Sequence, residues 1–221
     1  MEQRRIEIVS KKSKRITIDI IPGHFATNHS HINYYIDMTK ARCTQPMAAR
    51  AGRVLASKYV NSTQVDTIIT MDGCEMIGGF MAAELASNGV GAINGKKDIA
   101  VIRPDVNLNG QMVFPDNIQP MVWNKNVVLL VASATTGKTI NRSAEAIKYY
   151  GGNIVGISAI FSNNKVSLDG KPIDSIFKKD DLPNYCTYKF DECPDCKQMR
   201  KIDAIVSSSG YTKLWQWMPR C

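Results

Sequence analysis

Val127-Val128-Leu129-Leu130-Val131-Ala132-Ser133-Ala134-Thr135-Thr136-Gly137-Lys138-Thr139 decides how the chain is read. The apolar run from Val127 to Val131 suits a strand buried on both faces, the kind found in parallel sheets. It enters a Thr/Gly-rich turn, and from Thr139 to about Tyr150 the spacing predicts a helix closed by Gly151-Gly152. A strand, turn and helix in this order form a device for holding phosphate. The first amides of a helix have no intrahelical partner, and the helix dipole adds partial positive charge there. The Thr hydroxyls add donors, and a glycine lets the backbone approach closely. Thr135, Thr136, Gly137, Lys138 and Thr139 are therefore the candidate phosphate-binding residues.

Working outward, Val65 to Met71 reads as a buried strand ended by Asp72-Gly73, followed by a helix from about Ile77 to Asn88 with Gly89 as its stop. Apolar residues at Met47, Ala51, Val54, Leu55 and Ala56 give a helical stripe over about Pro46–Tyr59. Ile99–Ile102 and Ile154–Phe161 supply two more strands. Strands alternating with helices predict an α/β fold, a parallel sheet flanked by helices. The first 21 residues alternate apolar and polar, as a hairpin-like pair of strands that Pro22-Gly23 closes. From Pro104 to Pro120 the hydrophobic periodicity fades, which predicts a mobile loop of the lid type.

The chain has 221 residues, 44% hydrophobic and 22% charged, a size and composition for one globular domain with a real core. No run approaches the ~18 apolar residues of a membrane span, and the start of the chain lacks a signal-peptide pattern, so a cytoplasmic protein is expected. The net charge of +8, with Arg4, Arg5, Lys11, Lys12, Lys14 and Arg15 crowded together, reads as a solvated basic face. No finger spacing or RNA-recognition signature accompanies it, so nucleic acid is not an expected partner. The six cysteines suit free thiols or a metal rather than a disulfide framework. Cys193-x-x-Cys196 is half of a zinc site that Cys186 and Cys221 could complete. His24, His29 and His31 read as structural or surface residues before catalytic ones. Trp215 and Trp217, beside Tyr211 and Leu214, read as a docking tail.

Two readings compete for the phosphate loop. Ala132 to Thr139 nearly spells the nucleotide-triphosphatase loop GxxxxGK[ST], with Ala132 for the first glycine. Lys138 would then meet the outer phosphates and Thr139 would hold magnesium. The loop sits late in the chain, however, and no later apolar strand ends in the Asp that would support the metal.

The other reading is the phosphoribosyltransferase loop, and three further segments resemble the orotate branch of that family. Gly23-His24-Phe25-Ala26-Thr27-Asn28-His29-Ser30-His31-Ile32-Asn33-Tyr34-Tyr35-Ile36-Asp37 resembles its N-terminal signature. Asp72-Gly73-Cys74-Glu75-Met76-Ile77-Gly78-Gly79 resembles its pyrophosphate-contacting loop, and Cys193-Pro194-Asp195-Cys196-Lys197 a CPxC segment near the C-terminus of one branch. The resemblance implies a type I phosphoribosyltransferase fold with a small hood built from about residues 1–40 and 185–221. It implies transfer of phosphoribosyl from phosphoribosyl pyrophosphate to orotate, with magnesium, in a homodimer. It assigns the 5′-phosphate to Thr135–Thr139, pyrophosphate to Asp72, Gly73, Cys74 and Glu75, leaving-group stabilisation to Arg103, and the substrate side to His29, Tyr35 and Asp37, with His31 in the same loop. Two departures stand out. Val131 and Ala132 occupy the positions of the acidic pair that holds the ribose hydroxyls, and Pro104, Asn107 and Asn109 replace the loop cations. They favour an alternative, a catalytically reduced sensor that binds a nucleotide monophosphate or related ligand.

Overall fold

The computed structural model describes residues 1–28, 30–87, 89–107, 111–135, 137–163, 172–207 and 210–214, with Lys138 described by its backbone alone. In chain order the first elements are β1 (Ile6–Val9), β2 (Thr17–Ala26), β3 (His31–Asp37), α1 (Thr39–Cys43), α2 (Gln45–Ala56), β4 (Thr67–Thr70) and α3 (Glu75–Leu85). Then come β5 (Ala100–Ile102), β6 (Asp105–Val106), β7 (Met112–Val113), β8 (Asn126–Ala134), α4 (Lys138–Tyr149), β9 (Asn153–Ser162) and β10 (Ile173–Lys178). The last are β11 (Thr187–Tyr188), α5 (Pro194–Lys197), β12 (Ala204–Ser207) and β13 (Gly210–Lys213).

Five strands form an all-parallel sheet in the order β10-β9-β8-β4-β5. Its central strands are apolar on both faces because each face is covered. Ile68, Val128, Leu130, Ala132 and Ile160 join one core with residues of α2, α3 and the hood. Ile69, Leu129, Val131, Ile157 and Ala159 join a second core with Ile140, Ala144 and Ile147 of α4. Neighbouring residues of β8 therefore serve opposite cores, the two-residue period of a strand. The hood is a second sheet, ordered β11-β3-β2-β12-β13 with β1 also paired to β2. Among the described residues no helix is long and apolar enough to cross a membrane.

The expected α/β architecture, the β1–β2 hairpin, and the strand and helix on either side of Thr135–Gly137 are present. Two expectations need correction. Pro22-Gly23 does not close the first hairpin, because β2 runs through it to Ala26 with a register shift between Pro22 and Phe25. A proline without an N–H fits a strand where the ladder is already interrupted. At Gly23 any side chain would collide with the Asp203 carboxylate, which accepts the His24 amide at 3.0 Å. The segment after Pro104 is likewise not structureless: β6 and β7 pair antiparallel, and the Gln111 amide donates to Asn107 Oδ1 at 2.9 Å. Asn109 lies outside the described residues, as do His29, Asn88, Thr136, Trp215, Trp217 and Cys221.

Candidate ligand site

The turn after β8 places Gly137 at the N-cap of α4 with φ 74°, a left-handed conformation that glycine adopts without penalty. The helix then starts at Lys138, so its first amides open toward the mouth of the turn. One strand over, β4 ends in a second tight turn. Asp72 (φ 56°) and Gly73 (φ 76°) are both left-handed, and the Met71 amide remains in the sheet by donating to the Leu130 carbonyl at 2.8 Å. The two turns thus lie side by side at the carboxyl ends of adjacent parallel strands, where ligands of such sheets bind.

Between these turns and the hood lies a cavity of about 290 Å³. Asp72, Ala132, Ser133, Thr135 and Thr139 form its sheet side. Thr27, Asn28, Ser30, Tyr35 and Tyr185 face them from the hood, with Val206, Ser207 and Gly210 closing one wall. Arg42 of α1 also lines the cavity, and its Nη1 donates to the Asp72 carbonyl at 2.5 Å.

Burial pushes the Asp72 carboxyl above its ordinary range, against the pull of the Arg42 guanidinium, the Ala132 backbone amide and the Arg103 guanidinium. The carboxylate hydrogen-bonds the amide of Ala132, one of the two positions where the resemblance expects an acid. Burial also raises the Tyr35 phenol to about 12, which keeps it a donor at neutral pH. Tyr185 is held by Asn33, which donates to the Asn184 carbonyl at 2.7 Å and accepts the Cys186 amide at 2.8 Å.

Several residues singled out from the sequence come together here: Thr135, Thr139, Asp72 and Tyr35. Others do not. Cys74 is fully buried, and burial pushes its thiol well above the usual range, so it faces core rather than ligand. Glu75 is 3.5 Å from Arg103, in a pair whose arginine is 71% exposed, and neither lines the cavity. Asp37 also lies off the cavity and accepts from Arg5 at 2.8 Å. Burial raises its carboxyl, but the hydrogen bonds from Thr39 and Arg5 outweigh that and hold it below the ordinary value.

Val131 is fully buried on the α4 side of the sheet, so of the two substituted positions only Ala132 looks into the cavity. Sequence reasoning missed Arg42 and Tyr185. α1 is too short to show periodicity, and Tyr185 reaches the cavity only through a clamp to Asn33, far away in sequence.

Cys193 and Cys196 lie beside the hood, at and within α5. Among the described residues their ligating atoms group with those of His24 and His31 and not with that of Cys186. All four are grouped within 4.8 Å by their ligating atoms. The two histidines are buried, which corrects any reading of them as surface groups.

No protein-family model matches the chain. Among solved structures, the Leishmania donovani UMP synthase superposes with a TM-score of 0.53 at 14% identity, over 73% of this chain and 34% of that one. A phosphoribosyltransferase from Corynebacterium diphtheriae superposes with a TM-score of 0.50 at 16% identity, over 72% of this chain and 90% of that one. At such identities the likeness speaks for the fold, and the parallel sheet with its paired turns agrees with it. The chain has the α/β fold of the type I phosphoribosyltransferases.

Proposed function

We propose that the cavity binds a phosphoribosyl compound and that the reaction class it serves is phosphoribosyl transfer to an orotate-like pyrimidine. The observation that carries this reading is the cavity wall itself. It joins the start of α4, at Thr135 and Thr139, to Asp72 and Arg42, beneath a hood of polar side chains. In this reading the 5′-phosphate sits on the α4 amides and Thr hydroxyls, where dipole and donors favour an anion. Asp72 is the carboxylate within reach of a ribose hydroxyl, from the neighbouring strand end rather than from β8. Arg42 is the cation positioned for a second anionic group, a part that Arg103 cannot fill while it lies exposed against Glu75. The Tyr35 phenol and the Thr27 and Ser30 hydroxyls face the base.

Magnesium fits this lining poorly. Such ions are held by one or two carboxylates together with substrate oxygens, and among the described residues the cavity offers one carboxylate, Asp72, where the resemblance expects an acidic pair beside it. The chemistry proposed for the residues therefore rests on positioning and on Arg42. A second reading, a sensor that binds without turnover, is favoured by one observation: Val131 and Ala132 offer no side-chain oxygen to the ribose. Calorimetric titration with phosphoribosyl pyrophosphate, orotate and orotidine monophosphate, each with and without magnesium, tests binding. Spectrophotometric loss of orotate tests turnover. Binding with orotate consumption supports the transferase, binding without it supports the sensor, and no binding of any of the three defeats both.

A further inference from the structure

We propose that His24, His31, Cys193 and Cys196 bind a structural zinc ion that fastens the C-terminal part of the hood to its β2–β3 hairpin. His24 Nε2 lies 3.0 Å from His31 Nδ1, 3.5 Å from Cys193 Sγ and 3.6 Å from Cys196 Sγ, and Cys196 Sγ lies 3.2 Å from His31 Nδ1. In a tetrahedral site with zinc–sulfur bonds of ~2.3 Å and zinc–nitrogen bonds of ~2.0–2.1 Å, the edges between ligand atoms run roughly 3.3–3.8 Å. These four separations match such edges within a few tenths of an ångström, and the whole set of four ligand atoms lies within 4.8 Å of one another.

The chemistry of the set agrees. Two imidazoles and two thiolates match the nitrogen–sulfur preference of zinc. Two thiolate charges cancel the dication, so the filled site is neutral, as burial requires. Binding would release the two thiol protons to solvent as two zinc–sulfur bonds form, with no change of oxidation state. His24 has the outer support a ligand needs: its Nδ1 is 3.1 Å from the Arg200 carbonyl, which accepts the Nδ1–H and leaves the Nε2 lone pair facing the cluster.

The sequence arrangement explains why a metal is useful here. β12 pairs with β2 through only Ala204–Phe25 and Ile205–Ala26, yet β12 and β13 supply Val206, Ser207 and Gly210 to the cavity wall. Zinc at Cys193 and Cys196 would anchor the chain just before that weak pairing, to His24 inside β2 and His31 at the start of β3. With four protein ligands and three of them buried, the site is closed, which marks it as structural rather than catalytic.

Metal content of the full chain, expressed in zinc-supplemented medium and purified without chelator, is the direct test. About one zinc per chain is expected, and cobalt substitution should give thiolate-to-metal charge-transfer and intense tetrahedral ligand-field bands. Cys196→Ser and His31→Ala should each reduce the zinc to traces, while Cys43→Ser, at an exposed cysteine outside the cluster, should retain it. Should the ligand variants fail to fold, hydrogen exchange on the wild type decides: chelation should accelerate exchange in residues 24–31 and 193–207 before the parallel sheet. Wild-type protein that is metal-free and gives no cobalt charge-transfer band overturns the proposal. So does zinc retained in Cys193→Ser/Cys196→Ser.

Discussion

Asp72 combines a left-handed backbone with a carboxyl that burial makes reluctant to ionise, the kind of local cost that persists at functional positions. Its folded pKa lies above its unfolded one, so its contribution to stability is present below the unfolded value and is lost as pH rises through the folded one. Asp72→Asn should therefore raise the melting temperature at neutral pH. The gain should shrink to nothing in acid, where the unfolded chain too is protonated, while ribose-ligand binding is lost. Melting curves of both proteins from pH 3 to pH 8 check this, and a gain that survives at the acid end, below the unfolded carboxyl's ordinary value, would assign the effect elsewhere. Arg42 supplies the cavity's cation, and a charge-assisted hydrogen bond of ~1.5–3 kcal/mol predicts that Arg42→Ala weakens phosphoribosyl pyrophosphate binding about 10- to 150-fold by calorimetry. The two substituted acid positions should behave differently. Ala132→Asp adds a carboxylate beside the cavity and should leave the fold intact, whereas Val131→Glu buries an unpaired charge among Ile140 and Ala144 and should cost on the order of 3–5 kcal/mol in denaturant titration.

Between elements, α2 crosses α3 at Gly52, where a Cβ would come 2.8 Å from the Met81 amide nitrogen and 3.0 Å from the Ile77 carbonyl oxygen. Those are backbone atoms and cannot rotate away. Gly52→Ala should destabilise by ~1–3 kcal/mol despite the better helix propensity of alanine, and α3 should shift together with the Asp72–Glu75 turn that precedes it. Unfolding midpoints and ligand affinity, measured together, test whether both move. The elements legible in the sequence are those whose signal is local. β4, β8 and β9 are apolar runs buried on both faces, and α2 and α4 carry helical stripes. The hood is harder to read, because β11 and β12 are short and pair with strands far away in sequence: Thr187 and Tyr188 with Ile32 and His31, Ala204 with Phe25. The site divides the same way. The Thr135–Thr139 stretch is contiguous, whereas Arg42, Tyr185 and the His24–Cys193 approach exist only once distant segments meet.

Across the whole molecule, hood and parallel sheet share one core: Ile16, Ile18, Ile20 and Phe25 pack in the same cluster as Ile68, Val128, Leu130 and Phe177. Ion pairs tie the outer hood together, Arg5 with Asp19 at 2.9 Å and with Asp37 at 2.8 Å, and Arg4 with Asp203 at 2.7 Å. They contribute less than the core does, because solvent screens partly exposed charges. A shared core makes the two layers one cooperative unit. The cavity lies between them, so a ligand there contacts both layers and stabilises them together. Orotidine monophosphate at about 100 times its dissociation constant should then stabilise the chain by ~2.7 kcal/mol. At roughly 2–4 °C per kcal/mol for a chain of this size, the single melting transition should rise by about 5–11 °C without splitting. Inorganic phosphate, which on the proposed reading occupies the α4 turn alone, should give a smaller rise at equal concentration. A scan in which the nucleotide lifts one of two resolved transitions and leaves the other unmoved would show that hood and sheet unfold apart, and that the ligand touches only one of them.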